Sequence, residues 1–364
     1  LLLRYLKSYI YNSVAELRIN MNYREFKQIV ERITNEELCH KLPSDRTAKV
    51  FESIVAFMLK KKQNKKATLF TEYSDKVVEI LQLIERNNSV LASDLLYNLY
   101  FNDSLISQKT KQLNADLKFY KARPSTQNID YVLDDENGMG HIPFEKRDYI
   151  GNNRYSDDGV PCLYLGNSTY ICWEETNRPD INKSNFAMFL STCQLYFLNL
   201  CLPSENSVLE TVNIAFLPLI IACRLRKSTE TSEAKNHLEY KLPQMVMGCL
   251  MKYKHLNPQC RIDGIMYTSV HMESKGFMFD KRTRRQKCTN FVIPPVCYPS
   301  EGVCPIIQSK FKLAGYTSWE CILIRRPAAG SSSGVQSYSS SIFGLLEKEL
   351  SDIYKIKNNG MLTY

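Results

Sequence analysis

The stretch Asn153-Arg154-Tyr155-Ser156-Asp157-Asp158-Gly159-Val160-Pro161-Cys162-Leu163-Tyr164-Leu165-Gly166, with Trp173-Glu174-Glu175 a few residues beyond, carries more structural information than any other part of the chain. Gly159 lets the backbone turn, and Cys162 to Leu165 reads as a short buried strand. Asn167 or Ser168 then caps a helix that carries Glu175. Arg154 offers a fork of donors suited to phosphate oxygens, so the span suits a phosphorylated, aromatic-headed ligand. Each residue also has an ordinary structural reading: a solvated loop arginine, a core tyrosine, an exposed helix glutamate.

Upstream of this span, residues 1 to 117 read as a helical N-terminal domain. Tyr23, Phe26, Ile29, Val30 and Ile33 recur at three- and four-residue spacing, and Val50, Phe51, Ile54, Val55 and Met58 repeat it after a cap at Ser44 or Asp45. Val77, Ile80, Leu81 and Ile84 extend the pattern.

From Phe119 the texture changes to short apolar runs broken by Pro, Gly and Asn, which suggests strands and loops. Tyr131 to Tyr155 reads as a long loop that orders over a ligand. Asn213 to Cys223 is a buried apolar element, and Leu242 to Met251 a helix begun near Pro243. Asp263 to Ser269 is a turn into a strand, and Phe291-Val292-Ile293 another strand. Gly330 to Ser341 is rich in Ser and Gly and reads as a connector before a short helix over Ile342 to Ile353. The expected division is 1–117 helical, 118–329 catalytic, and 330–364 connector and C-terminal helix. The fold class expected is α+β.

The chain has 364 residues, 44% hydrophobic and 23% charged, which is ordinary for a folded globular protein of two domains. The net charge of +9 allows an anionic partner. It is spread along the chain, however, and Lys60 to Lys66 reads as a solvated helix end rather than a nucleic-acid groove. The most apolar window, Phe186 to Leu202, contains Ser191, Thr192, Gln194 and Asn199, so buried elements are expected there rather than a membrane span. The charged first residues lack the apolar core of a secretory signal, and a cytoplasmic location is expected. Twelve cysteines occur without a C-x-x-C, and the groupings Cys193 with Cys201 and Cys297 with Cys304 lack zinc-ligand spacing. Reduced core cysteines and no metal are therefore expected. The five histidines, His40, His141, His237, His255 and His271, show no pairing at metal or nuclease spacing.

Four segments taken in order resemble the RES domain family, which is named for an Arg, a Glu and a Ser. They are Phe119-Tyr120-Lys121-Ala122-Arg123, Asn153 through Glu175, Glu239-Tyr240-Lys241-Leu242-Pro243-Gln244, and Asp263-Gly264-Ile265-Met266-Tyr267-Thr268-Ser269. The helical N-terminal region resembles, less specifically, an extension found before some bacterial members. The resemblance implies an ADP-ribosyltransferase-like domain with two small packed sheets around an NAD cleft. It further implies an NAD+-consuming enzyme, a bacterial toxin or defence effector. By this resemblance the catalytic residues are Glu175, Arg154 and Ser269, and NAD is bound by Lys121, Arg123, Tyr164 and Asn290. Glu174 is the alternative register; Glu175 is preferred because it keeps the family's spacing from Tyr164 and places the small Cys172 within the helix. Where many members have an arginine, this chain has Lys121, which keeps the charge and loses the bidentate fork. Gln244 and Pro243 read as a helix start rather than as substrate contacts.

The chemistry suits these residue types. A carboxylate stabilises the positive charge that develops on ribose as nicotinamide leaves, as glycosidase carboxylates do, and arginines fix the pyrophosphate so that the ribose sits in one geometry. Water as acceptor gives hydrolysis, phosphate gives phosphorolysis, and a macromolecule gives ADP-ribosyl transfer. A non-enzymatic nucleotide or nucleic-acid binding module is the competing class. The expected partners are NAD+, a cognate antitoxin or regulatory protein, and a second copy of the chain; neither a membrane nor nucleic acid is expected.

Overall fold

The computed structural model describes residues 23–34, 41–124, 136–205, 207–226, 237–271, 286–318 and 337–358. The helices are α1 (Tyr23–Glu31), α2 (Pro43–Lys60), α3 (Asn64–Glu85), α4 (Ser89–Tyr100), α5 (Asp103–Lys109), α6 (Thr169–Glu175), α7 (Thr211–Ala222), α8 (Leu238–Leu256), α9 (Pro305–Lys310) and α10 (Ile342–Asn358). The strands are β1 (Thr110–Leu113), β2 (Lys118–Pro124), β3 (Leu163–Gly166), β4 (Ser184–Ser191), β5 (Leu195–Leu200), β6 (Gly264–Thr268), β7 (Thr289–Ile293) and β8 (Phe311–Ser318). The fold is mixed α+β, with helices preceding the sheet. The expected connector from Gly330 and the first 22 residues fall largely or wholly outside the described residues.

The chain divides into two compact units, Leu1–Leu95 with Pro203–Ser232, and Leu96–Leu202 with Glu233–Tyr364. The helical unit is thus assembled from two separate stretches, where the sequence suggested one block over 1–117. Its core follows the apolar spacing of α1 to α3: Phe26, Val30, Val50, Phe51, Ile54, Phe70, Val77 and Ile80 are all buried. Phe51 and Phe70 meet edge to face, ring centroids 5.5 Å apart. The later stretch supplies α7, whose run Asn213 to Ala222 is buried on every side and packs against α3, as expected of a helix apolar all round. The expected cap at Ser44 or Asp45 is displaced. Pro43 begins α2 and Leu42 is its cap without a side-chain bond. Ser44 lies inside the first turn, where its N–H and hydroxyl both reach the Glu85 carboxylate, at 2.8 and 2.7 Å.

In the second unit the strands form one eight-stranded sheet of order β1-β5-β6-β7-β3-β2-β4-β8. The β5–β6 pair is parallel, and all the others are antiparallel. This corrects the expectation of two separate small sheets. The five strands from β1 to β3 and the three strands β2, β4 and β8 are joined through a single register pair, Tyr120 with Gly166. The sheet is therefore continuous but weakly stitched where β2 meets β3.

Both faces are covered. Tyr120, Ala122, Phe186 and Met188 pack under Tyr170 and Ile171 of α6 and Phe343, Leu346 and Leu350 of α10. Phe119, Leu163, Leu165, Ala187, Phe189, Phe197 and Phe291 fill the opposite face with Phe144 and Ile307. Strand β4 is buried at all eight positions because alternate residues serve the two cores. That explains the apolar window starting at Phe186. It is two buried strands, and among the described residues no helix is long and apolar enough to cross a membrane.

Candidate functional site

Gly166 ends β3, and α6 begins three residues later with Ser168 as its N-cap, whose hydroxyl accepts the Ile171 N–H at 3.1 Å. The space a Cβ would fill at Gly166 is occupied by Ile171 Cγ2 and Cys172 Sγ. The missing side chain thus lets α6 lie directly on β3, and the last residue of that helix is Glu175.

The carboxylate of Glu175 is gathered by residues from two strands. Its Oε1 accepts from the Ser269 hydroxyl and from Asn290 Nδ2, the latter at 2.7 Å. Ser269, just past β6, is fully buried, and its Oγ accepts the His271 N–H at 3.1 Å. Asn290, buried on β7, is cross-strand from Gly166 and from Tyr267. Glu175 Oε2 stands 3.9 Å from His271 Nε2, and the side chain keeps 27% of its surface exposed. One carboxylate oxygen is fixed by two donors, while the other faces a half-exposed histidine.

Glu174, the alternative register, points elsewhere. It is 2% exposed and ion-paired to Arg178 Nε at 2.8 Å. The geometry separates the two neighbouring carboxylates into a structural pair and a member of the polar cluster.

Arg154 is 7% exposed and lies over the Tyr240 ring, 4.7 Å from its centroid. Burial opposes its charge, but Tyr240, Tyr267, Glu175 and Tyr155 together raise its pKa above the ordinary arginine value. The rings of Tyr155 and Tyr267 meet at a tilt of 46°, their centroids 4.8 Å apart. The loop bearing Arg154 is closed by mutual backbone bonds between Asn153 and Ser156. It is held from beneath by Tyr164, whose hydroxyl meets the Tyr155 N–H at 3.3 Å and Ser156 Oγ at 3.0 Å. Burial pushes the Tyr164 phenol well above its ordinary range, so it stays protonated. Tyr164 was expected at the ligand, and its hydroxyl is committed to anchoring this loop.

Gln244 was expected only to start a helix. In the structure α8 begins six residues earlier, at Leu238, and buried Gln244 donates from Nε2 to Asn152 Oδ1, to the Asn153 carbonyl at 2.9 Å and to the Ser156 carbonyl at 3.3 Å. It is a second anchor of the arginine loop. Its only sequence signal was its place in the Tyr240-to-Gln244 segment. His271 was likewise missed, because the histidines were weighed only for pairing at metal or nuclease spacing; its position two residues after Ser269 was the available clue.

Lys121 and Arg123 are not brought to this cluster. Both donate to the Gly140 carbonyl, Arg123 Nη2 at 3.4 Å. Strand alternation places them on the face of Phe119, which packs edge to face on Phe291, whereas Asn290, next to Phe291, faces the other way. Burial, and then the charge of Arg123, depress the Lys121 pKa well below its ordinary value. Among the described residues no group of His, Cys, Asp or Glu is arranged to hold a metal.

The chain is 28% identical over 238 residues to a curated protein of Bacillus subtilis (strain 168) named "Putative toxin YopC", a match covering 60% of this chain and 50% of that protein. The chain thus spans about half the length of the curated relative it matches. No known family description matches the chain, and no solved structure is similar to it at a significant level.

Proposed function

We propose that the Glu175 cluster cleaves the nicotinamide–ribose bond of NAD+, and that the chain is the enzymatic part of a bacterial toxin or defence effector. The observation that supports this most is one carboxylate fixed by Ser269 and Asn290, in a setting where Glu175 also helps to hold the charge of a cation, Arg154, seated on an aromatic ring. As the neutral nicotinamide departs, positive charge develops on the ribose, and Glu175 stabilises it or holds a ribose hydroxyl. Ser269 and Asn290 hold one oxygen of the carboxylate and aim the group. Arg154 takes a phosphate oxygen of the pyrophosphate. Tyr164 and Gln244 act at one remove, by holding the arginine loop. Lys121 and Arg123 have no part in this version of the grip. The toxin name of the Bacillus subtilis relative is consistent with a cell-damaging activity.

The test is nicotinamide release from NAD+ by the purified protein. Wild type is expected to release it, and Glu175→Gln, which keeps the shape and loses the charge, is expected to be slower by about 100-fold or more. Product analysis with and without phosphate, and with labelled NAD+ in a lysate, assigns the acceptor as water, phosphate or a macromolecule. Folded wild-type protein that releases no nicotinamide with any acceptor refutes the proposal.

A further inference from the structure

All ten cysteines among the described residues are free thiols, but two of them touch. Cys297 and Cys304, seven residues apart, have their sulfurs 3.2 Å from each other. They flank the turn between β7 and α9, reversed at Gly302, whose φ of +75° favours glycine. The turn is tied down independently of the sulfurs. The Gly302 N–H donates to Glu145 Oε2 at 2.7 Å, its carbonyl accepts the Phe144 N–H at 2.8 Å, and the Cys304 N–H donates to His141 Nε2 at 2.7 Å. The sulfur contact is therefore built by the fold rather than left to a loose loop. A bonded pair needs about 2.05 Å, so closure requires the sulfurs to approach by roughly 1 Å.

The two thiols differ. Cys304 is fully buried and Cys297 half-buried. The hydrogen bond to Cys304 raises the Cys297 pKa. Cys304 is lowered even though burial opposes ionisation, because the Ile307 N–H, the Cys297 side chain and further backbone N–H groups stabilise its thiolate. The accessible Cys297 is the sulfur a small disulfide can reach, and the buried Cys304, in contact with it, is placed to resolve the mixed disulfide that results.

We propose that Cys297 and Cys304 form a redox-active dithiol that closes to an intramolecular disulfide with a low-molecular-weight disulfide as oxidant. Cys297, after losing its proton to water, attacks one sulfur of the oxidant; that S–S bond breaks, and one small thiolate leaves and takes up a proton. Cys304, as thiolate, then attacks the Cys297 sulfur and expels the second. The protein loses two protons and two electrons, and the oxidant, gaining both, becomes two thiols.

The test incubates the full chain with oxidised glutathione, blocks the remaining thiols after denaturation, and maps the tryptic peptides. The peptide Cys288–Lys310 is expected to be lighter by two hydrogens at Cys297 and Cys304, with Cys288 alkylated. Cys193, Cys201 and Cys260, which are also partly exposed, are expected to remain alkylated. In Cys297→Ser the change should disappear. Full alkylation of both residues, a stable glutathione adduct on Cys297, or a crosslink to any other cysteine overturns the proposal. The wild-type map decides between these outcomes however the variant folds.

Discussion

The imidazole of His141 accepts the Cys304 N–H at Nε2, so its proton sits on Nδ1, which donates to the Ile142 carbonyl at 2.8 Å. Burial, opposed in part by that carbonyl and assisted by Lys121, lowers its pKa below the ordinary 6.5. The unfolded chain therefore binds a proton before the folded one does. Stability is fully present above pH 6.5 and declines as pH falls toward the folded-state value. The thermal midpoint of wild type should fall between pH 7 and 5.5 by more than that of His141→Asn, which can still accept the Cys304 N–H without titrating. Equal slopes would contradict the assignment. The family resemblance preferred Glu175 to Glu174, but nothing in the sequence could say that Glu174 would be taken up by Arg178 while Glu175 met Ser269 and Asn290. Those contacts join residues 94 and 115 positions apart.

Helix α6 positions the carboxylate, and Ser168 fixes where that helix starts. Its hydroxyl accepts the Ile171 N–H and donates to the Lys287 carbonyl at 2.9 Å, in a fully buried site. Ser168→Ala should lower stability by about 1–2 kcal/mol in chemical denaturation, near the upper end for a lost cap because the Lys287 carbonyl loses its donor as well. A change within a few tenths of a kcal/mol would show that α6 does not depend on this cap. Elements with strong local signals were readable: the cap and helix after Gly166, the strand at Leu163, and the apolar spacing of α1 to α3. Two others were not. The start of α2 looked like a Ser44 or Asp45 cap, yet Ser44 is drawn to Glu85, a partner 41 residues away. The two cations of β2 looked like a phosphate grip, yet alternation along the strand sends Lys121 and Arg123 to the face opposite Asn290, and which face holds the site depends on strand order rather than local pattern.

At the scale of the whole molecule, every residue of the Glu175 and Arg154 cluster lies in the second unit, within Leu96–Leu202 and Glu233–Tyr364. The stretch Pro203–Ser232 that interrupts this unit in sequence belongs to the helical one, and its apolar run over Asn213 to Cys223 carries no local sign that it belongs with residues before 95. If the cluster binds NAD+, the Glu175→Gln protein, which turns the ligand over slowly, should gain about 2.7 kcal/mol of apparent stability at a ligand concentration 100 times its Kd, read as a higher thermal midpoint. No shift at millimolar NAD+ would count against a site there.

The role of Glu175 is tested most directly by nicotinamide released from NAD+ over time by wild type, Glu175→Gln and Glu174→Gln under the same conditions. Release is expected from wild type, with a loss of about 100-fold or more in Glu175→Gln and activity retained in folded Glu174→Gln. Release that persists in Glu175→Gln, or none from folded wild type, would contradict that role.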